Sequence, residues 1–522
     1  MGNRFVLRIG DLARRKPIEL HAVVVLALAI GFGMGADYGL SWDESFTVPF
    51  ARQVVSAYHT LQAPVEWYSN MEYYGPFYLA GAEVLSSILH SLVPGWSQID
   101  SRHLVYFLSL PLAIVALYSI ARRLAGRTAS LAAILLFATQ PLILGHSFIN
   151  PKDTPFMAFF LASVASGLGF ADRIAGPLAH RREHMELLLR VIVAGAVLGL
   201  TTSVRVIGPF AGVLVTANAL RSRRLRSVFL LAVYWIVAAV TCYCTWPYLW
   251  GNPVGRLLDN LSVLTRFPEH IAVLYRGLVY PYGTLPWHFL PFVILVQLTL
   301  PAVLLSVGGG VIGMARMLAD RSMVAPFLVV TAWVIVPFAA VLVGRTVVYD
   351  NCRQLLFILP PLFVLAALSL DALFGRIRHW ALKLAIIVLA ILPGVAGIVR
   401  LHPYEYVYYN SIVSGVRGAF RHYELDYWAT AYREAMKRVN LIAPAGAVVA
   451  VGEPWQSAAP FARPDLVVCG AGQEPLRCEE DAAFFIVSTR SNRDQNAYPE
   501  ARIISEVQVE GVPLAVVKDL RP

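Results

Sequence analysis

The sequence predicts an all-α polytopic membrane protein with a small C-terminal α/β domain. Hydrophobic residues make up 57% of the 522 residues and charged residues only 15%, whereas soluble domains contain about 25% charged residues. Apolar runs long enough to cross a bilayer, roughly 17 to 25 residues each, recur up to residue 398. Beyond residue 400 they give way to short β-like runs separated by turn residues.

The membrane region is predicted to contain about eleven transmembrane helices, one for each apolar run of spanning length. An odd number of crossings would place the two ends of this region on opposite sides of the bilayer. The predicted spans cover residues 20–36, 103–121, 128–148, 155–171, 188–204, 206–220, 227–246, 287–315, 323–343, 354–373 and 380–398.

The net charge of +10 reflects membrane topology rather than nucleic-acid binding, because the basic residues form short clusters between apolar runs and not one stripe. By the positive-inside rule, these clusters place the N-terminus in the cytoplasm and the C-terminal tail outside. The first run is expected to be a retained anchor, since no clear small-residue cleavage pattern precedes Asp37. The clusters are Arg4, Arg8, Arg14, Arg15 and Lys16; Arg122, Arg123 and Arg127; Arg173, Arg181 and Arg182; Arg221, Arg223, Arg224 and Arg226; Arg316 and Arg321; and Arg376 and Arg378.

Two outward loops, residues 37–102 and 246–287, are too long for simple connections. Both are rich in aromatic residues, and each contains a plausible interfacial helix, at 50–61 and 257–267. We expect the first loop to lie on the membrane surface and cover a cavity.

Adjacent carboxylates in the first loop, Asp43 and Glu44, directly follow the first apolar run. Bilayers rarely tolerate such charges without a functional role. A second polar group lies in the tight turn between the third and fourth spans, where His146, Asn150, Lys152 and Asp153 are close together in the sequence. Asp153 precedes Thr154-Pro155, so helix capping is at least as good an explanation for it as catalysis.

Several arginines lie at the outward ends of the predicted spans, where the positive-inside rule does not place them. Arg102 alone is more simply explained as a snorkelling anchor. Arg205, Arg345 and Arg353 require anionic partners, and a lipid phosphate fits as well as Asp350 does.

Four motifs follow one another along the chain, around Asp43, Tyr74, Arg102 and Asp153. Their order resembles that of the GT-C membrane glycosyltransferases. The resemblance is to the branch containing the protein O-mannosyltransferases and the bacterial aminoarabinose transferases of lipid A. It covers about residues 10–400 in topology, but its specific motifs lie in the first 210 residues. Relatives often have Lys-Pro-Pro or His-Pro-Pro where this chain has Tyr74-Gly75-Pro76, and a Thr-Lys-Gly turn where it has Arg205 near Gly208. The motifs are Trp42-Asp43-Glu44, Tyr73-Tyr74-Gly75-Pro76-Phe77-Tyr78, Ser101-Arg102-His103-Leu104 and Asn150-Pro151-Lys152-Asp153.

The resemblance implies an inverting transferase that takes a sugar from a polyprenyl-phosphate carrier and passes it to an extracytoplasmic hydroxyl or phosphate. Asp43 would be the general base, Glu44 would orient Asp43 or the sugar, and Asp153 would line the same cavity. The residues expected to neutralise the leaving phosphate are Lys152, Arg102, Arg205, Arg345 and Arg353. The residues expected to line the substrate cavity are Trp42, Tyr74, His146, Asn150, Tyr349 and Asp350.

No metal-ligand spacing is evident, so we expect no metal or other cofactor. The expected partners are the lipid-linked sugar, its acceptor and membrane lipids, but no nucleic acid. Composition suggests a bacterial inner membrane, with the active site facing the periplasm.

The predicted domains are a catalytic transmembrane domain, 1–400, and a periplasmic α/β domain, 401–522. The second domain shows no nucleophile elbow or phosphate loop, and we expect it to recognise the acceptor or support a lid. Cys469 and Cys478 could form a disulfide in an oxidising compartment, and pairing and free thiols are equally open.

Two other function classes remain open from the sequence. A transporter or flippase for lipid-linked sugars usually has two related halves with interrupted helices, and this chain shows no such symmetry. A non-catalytic membrane scaffold is the third class.

Overall fold

The computed structural model describes residues 18–176, 180–222, 225–265, 271–281, 283–344, 348–471 and 480–521. Within these ranges, seven helices are long and apolar enough to cross a membrane, and a pair of helices bent by 59° could form an eighth span. Three shorter apolar helices accompany them: Ile18–Met34, Phe77–Leu92 and Pro209–Ala219. The structure confirms a multi-pass helical membrane protein, and the count of eleven spans remains a prediction.

The helices of the bundle follow the predicted apolar runs closely. Seventeen α-helices precede residue 402 in the ranges given above. They are α1 (Ile18–Met34), α2 (Glu44–Thr60), α3 (Phe77–Leu92), α4 (Gln98–Phe107), α5 (Ser109–Leu124), α6 (Arg127–Ala138), α7 (Pro141–Ile149), α8 (Asp153–Ala175), α9 (Arg181–Thr202), α10 (Pro209–Ala219), α11 (Leu225–Thr245), α12 (Pro253–Thr265), α13 (Phe289–Gln297), α14 (Leu300–Ala319), α15 (Val324–Gly344), α16 (Pro360–Arg376) and α17 (Trp380–Leu401).

Two predicted spans are broken, and each break lies just before a proline. The run 128–148 bends between α6 and α7 ahead of Pro141, and the run 287–315 divides into α13 and α14 ahead of Pro301. Proline cannot donate a backbone hydrogen bond, and it disfavours a helical conformation in the residue before it. The two breaks contact each other, because the Thr299 amide donates to the Gln140 side chain at 3.0 Å.

The described residues of both segments predicted as interfacial helices fall largely within α2 and α12, and their position at the membrane surface remains a prediction. Helix α3 is an apolar helix that we did not predict as a span, and it follows the aromatic turn at Tyr73 and Tyr74. A short antiparallel hairpin follows α12, with strands β1 (Val273–Tyr275) and β2 (Leu278–Tyr280).

Beyond Leu401, the chain forms the predicted α/β region, and all five predicted β-runs are strands. They make one sheet in the order β4-β3-β5-β7-β6, with β3 parallel to β4 and β5, and β7 antiparallel to β5 and β6. The strands are β3 (Val448–Val451), β4 (Val467–Gly470), β5 (Phe484–Ser488), β6 (Arg502–Val509) and β7 (Val512–Asp519). The helices of this region are α18 (Gly415–Ala419), α19 (Tyr432–Ile442) and α20 (Arg493–Asn496).

The sequence predicts a helix from Asp426 to Asn440, and its predicted start is wrong, since α19 begins at Tyr432. The Asp426 carboxylate instead accepts hydrogen bonds from the backbone amides of Thr430 and Ala431, both at 3.1 Å. A side chain that satisfies these amides stabilises a turn in place of the first helical residues.

The segment after α17 packs directly onto the loop that follows α1. The Trp42 amide donates to the Trp428 carbonyl at 3.0 Å, and the Tyr38 hydroxyl donates to the buried Glu405 carboxylate at 3.0 Å. Arg433 of α19 donates to the carbonyls of Ala36 and Tyr38, at 2.7 and 2.6 Å. The conformation of the loop that carries Asp43 therefore depends on residues far along the chain.

Candidate active site

Asp43 precedes α2, and its carboxylate is buried between two cations. Lys152 Nζ lies 2.9 Å from Asp43 Oδ2, and Arg353 Nη1 lies 3.1 Å from the same oxygen. Burial alone would raise the pKa of Asp43, but the two cations outweigh it and lower the pKa to about 2. Asp43 is therefore ionised at neutral pH. No described residue donates a hydrogen bond to its other oxygen, Oδ1.

The turn between α7 and α8 brings Lys152 and Asp153 to this site. The side-chain oxygen Oδ1 of Asn150 accepts from the backbone amides of Lys152 and Asp153, at 3.2 and 2.8 Å, and Asn150 Nδ2 donates to Asp153 Oδ2 at 3.0 Å. Such local hydrogen bonds are typical of turns formed by Asn. Asp153 is the first residue of α8 and follows the N-cap position, Lys152, and its carboxylate accepts from the Asn150 side chain. Capping therefore does not explain its carboxylate.

Asp153 pairs instead with Arg205, which follows α9. Arg205 also donates to the Gln354 carbonyl at 3.4 Å. Arg353 Nη1 lies 3.9 Å from Asp153 Oδ2, so Arg353 approaches both carboxylates, Asp43 and Asp153.

The loop before α16 positions Arg353 and Asp350. Asp350 and Asn351 have left-handed backbone conformations, with φ of 53° and 62°, which Asp and Asn tolerate better than other non-glycine residues. The Asn351 side chain donates to the Glu424 carbonyl at 3.2 Å, which ties this loop to the C-terminal region. Asp350 Oδ2 lies 3.1 Å from Arg353 Nη2.

The other oxygen of Asp350 contacts Arg490, a residue that the sequence analysis missed. Arg490 Nη2 lies 2.5 Å from Asp350 Oδ1, and the guanidinium lies 4.7 Å from the centre of the Trp42 ring. The side chain of Arg490 is only 3% exposed. One signal could have identified it: Arg490 lies two residues after the end of β5, an apolar strand at the centre of the sheet, and polar residues at strand ends often form sites.

Glu44 belongs to a neighbouring cluster rather than to the Asp43 pairs. Its carboxylate accepts from the Ser41 amide at 2.9 Å and lies 3.1 Å from His103 Nε2. Arg102 lies 3.9 Å from Glu44 and 3.2 Å from Glu83. In this structure, Glu44 thus pairs with two residues in the middle of α4, and the nearest anionic partners of Arg102 are Glu44 and Glu83.

A mostly apolar cavity of about 460 Å³ lies beside the Asp43 pairs. Lys152, Arg205 and Arg353 line it, together with apolar side chains of α10 and α15. The predicted cavity residues Tyr74 and Tyr349 line it as well; Tyr74 lies under Lys152 Nζ at 4.4 Å, and Tyr349 lies under the Arg353 guanidinium at 5.1 Å. The cavity thus combines apolar walls with cationic groups.

The remaining predicted residues surround this cluster. His146 is buried behind it, between the Tyr427 hydroxyl at 2.9 Å and the Asn150 amide at 3.1 Å. Arg345 and Cys478 lie outside the described residues, so the role of Arg345 and the pairing of Cys469 with Cys478 remain predictions. Cys242, Cys244 and Cys352 are free thiols. Among the described residues, no group of three or more His, Cys, Asp or Glu side chains could hold a metal ion.

The chain is similar to known proteins in sequence and in fold. Residues 87–247 match the family model described as dolichyl-phosphate-mannose-protein mannosyltransferase, whereas no curated protein matches the sequence. ArnT from Cupriavidus metallidurans bound to undecaprenyl phosphate is similar in structure, at 13% identity and a TM-score of 0.53, with 96% of this chain and 97% of that chain covered. The apo state of the same protein has a TM-score of 0.52 at 14% identity, and again 96% of this chain and 97% of that chain are covered.

A second kind of enzyme shows the same architecture. The oligosaccharyltransferase of Archaeoglobus fulgidus in its apo form has a TM-score of 0.51 at 12% identity, covering 91% of this chain and 70% of that chain. At these low identities, the structural similarity establishes the fold. The order of the four motifs had implied the same fold. The chain is therefore a multi-pass membrane protein with the GT-C fold.

Proposed function

We propose that the protein is an inverting glycosyltransferase that moves a sugar from a polyprenyl-phosphate carrier to an acceptor hydroxyl or phosphate outside the cytoplasm. One observation carries the proposal: Lys152 and Arg353 contact the carboxylate of Asp43 and also line the apolar cavity. A prenyl chain needs apolar walls, and its phosphate needs cations at one end of them. The similarity to ArnT bound to undecaprenyl phosphate supports this choice of carrier.

Asp43 is the general base of the proposed reaction. It removes the proton of the acceptor hydroxyl while the acceptor oxygen bonds to the anomeric carbon, and the bond from that carbon to the phosphate oxygen breaks. A single displacement of this kind inverts the anomeric centre. The phosphate leaves on the prenyl carrier with one more negative charge, and the proton on Asp43 then passes to water.

The resting pKa of Asp43, about 2, would make it a weak base. Donor binding changes this, because an anionic phosphate beside Lys152 and Arg353 offsets part of their positive charge and so raises the pKa of Asp43. Proton transfer would then depend on a bound donor. Together with Arg205, the two cations stabilise the charge that develops on the leaving phosphate, so the reaction needs no metal ion.

The test uses purified protein in nanodiscs with a panel of radiolabelled polyprenyl-phosphate sugars. Wild type is expected to release polyprenyl phosphate or label an acceptor in membrane extract, and turnover should persist in the presence of a chelator. Asp43→Asn is expected to lower turnover by about 10²- to 10⁴-fold, the usual contribution of a positioned base, while binding of undecaprenyl phosphate is retained.

A transporter or a scaffold would behave differently in this experiment. No turnover and no binding for any donor, with Asp43→Asn behaving as wild type in cells, would reject the proposed function. Loss of turnover only after chelation would reject the metal-independent reaction while leaving the transferase assignment intact. The sugar and acceptor follow from whichever donor and extract component become labelled. We place the protein in a bacterial inner membrane with the site facing the periplasm.

A further inference from the structure

The ion pairs of the site form one continuous network that includes a residue of the C-terminal sheet. We call it the ion-pair network, and it consists of Asp43, Lys152, Asp153, Arg205, Asp350, Arg353 and Arg490. Four members are cationic and three are carboxylates, so the network carries one net positive charge. Arg490 provides the excess, since the other six members balance.

Within this network, Arg490 and Asp43 are connected through two intermediate residues. Arg490 contacts Oδ1 of Asp350 at 2.5 Å, whereas Arg353 contacts Oδ2 of Asp350 at 3.1 Å. Arg353 uses its other terminal nitrogen for Asp43. Asp350 and Arg353 are thus each held from both sides by groups of opposite charge, and such buried contacts are strong and geometrically restrictive.

Arg490 has further contacts that fix its own position. It donates to the Tyr427 carbonyl at 3.3 Å and lies against the ring of Trp42, the residue before Asp43. It is not among the residues that line the cavity. Any effect of Arg490 on a bound donor must therefore pass through other residues.

We propose that Arg490 is a positioning residue for sugar transfer, through which the C-terminal region sets the orientation of Arg353 and hence of Asp43. The inference rests on the proposed function. By sharing the charge of Asp350, Arg490 leaves Arg353 free to face Asp43 and the donor phosphate. Without Arg490, Asp350 keeps Arg353 as its main partner and draws it away from Asp43, and the network loses its net positive charge.

The test is a double-mutant cycle between Arg490→Met and Asp350→Asn in nanodiscs. Each single variant is expected to lower turnover at saturating donor by about 10- to 100-fold, the range that a small misplacement of catalytic groups can cause. The double variant should be no slower than the slower single variant, because both changes interrupt the same connection. Turnover of Arg490→Lys should lie between that of Arg490→Met and that of wild type. Lysine keeps the positive charge but not the planar guanidinium that contacts both Asp350 and the Tyr427 carbonyl.

The control is Arg463→Gln, which removes an arginine that bonds to Asn440, Ala443 and Asp465 in the same region, away from the site. It should leave turnover unchanged. Fully multiplicative losses in the cycle, or wild-type turnover of Arg490→Met, would overturn the proposal. The dissociation constant of undecaprenyl phosphate is measured for the same four proteins. The losses of binding affinity in the two single variants are also expected to be non-additive in the double variant. That readout needs no turnover, so failure of the proposed reaction and failure of the Arg490 connection give different results.

Discussion

At the scale of single residues, the charges of the site are stabilised by one another rather than by water. Asp43 has Lys152 and Arg353 as partners, and Glu44 has His103. For Asp43, burial raises the pKa less than the two cations lower it. Removing one member of such a group leaves an uncompensated buried charge, which is usually strongly destabilising.

Asp43→Asn is therefore expected to lower stability as well as turnover. The folded-state pKa of about 2 lies below the unfolded value of about 3.9, so the ionised carboxylate contributes about 2 to 3 kcal/mol at pH 7. This stabilisation is fully present above the unfolded pKa and is lost as the pH falls through the folded pKa. The measurement is thermal unfolding of wild type and variant in detergent between pH 7 and pH 3.

The unfolding temperature of the variant should be lower at pH 7, and the difference should shrink towards pH 3. Added undecaprenyl phosphate should raise the unfolding temperature of the variant by more than that of wild type. Its phosphate offsets the charge of Lys152 and Arg353, which lack the Asp43 carboxylate in the variant. A variant as stable as wild type at pH 7 would contradict this account.

At the scale of elements, the turn before α3 is held against the end of α9. The Phe77 amide donates to the Ser203 carbonyl at 3.1 Å. A Cβ added at Gly75 would overlap the backbone of Ser203 and Val204. Gly75 is thus required by a close approach of two backbones, and the same turn places Tyr74 under Lys152.

Gly75→Ala is expected to force these segments apart, at a cost of about 1 to 3 kcal/mol, as for other overpacked positions. Turnover should fall as well, since Tyr74 moves with the turn. Gly81→Ala is the matched control, because Gly81 lies in α3 and no atom is within 4 Å of an added Cβ. Thermal unfolding and donor turnover of both variants give the comparison; equal behaviour of the two would show that the close approach is not required.

At the scale of the whole molecule, the site and the C-terminal sheet lie at the same end of the helix bundle. Arg490 of the sheet region contacts Asp350. The basic clusters at Arg123 and Arg316 lie at the other ends of their helices and pair there with Asp172 and Asp371. The positive-inside rule predicts that this second end is cytoplasmic, and we therefore expect the site on the opposite side.

Cysteine labelling tests this orientation in bacterial spheroplasts. In a cysteine-free background, Val65→Cys is expected to react with a membrane-impermeant maleimide in intact spheroplasts, because Val65 is fully exposed in the loop after α2. Arg182→Cys, whose parent side chain is 90% exposed at the start of α9, should react only after permeabilisation. The reverse pattern would place the site on the cytoplasmic side.

The sequence by itself determined the membrane class, the helical runs, the five strands, and the turn that joins Asn150, Lys152 and Asp153. These features follow from composition, from the periodicity of apolar residues and from contacts between residues close together in the sequence, all of which can be predicted without knowing the tertiary structure. It also indicated Asp43, since a carboxylate next to an apolar run is costly wherever the chain folds.

Only the tertiary structure decided which charges meet. Asp43 and Arg353 are 310 residues apart, and Arg490 and Asp350 are 140 apart. Arg102, at the head of a span, pairs with Glu83 and Glu44, whereas Arg490, beyond the last predicted span, joins the site network. The sequence indicates that a charged side chain next to an apolar run needs a partner of opposite charge. It does not indicate which residue is the partner, because the choice of partner depends on how distant segments pack.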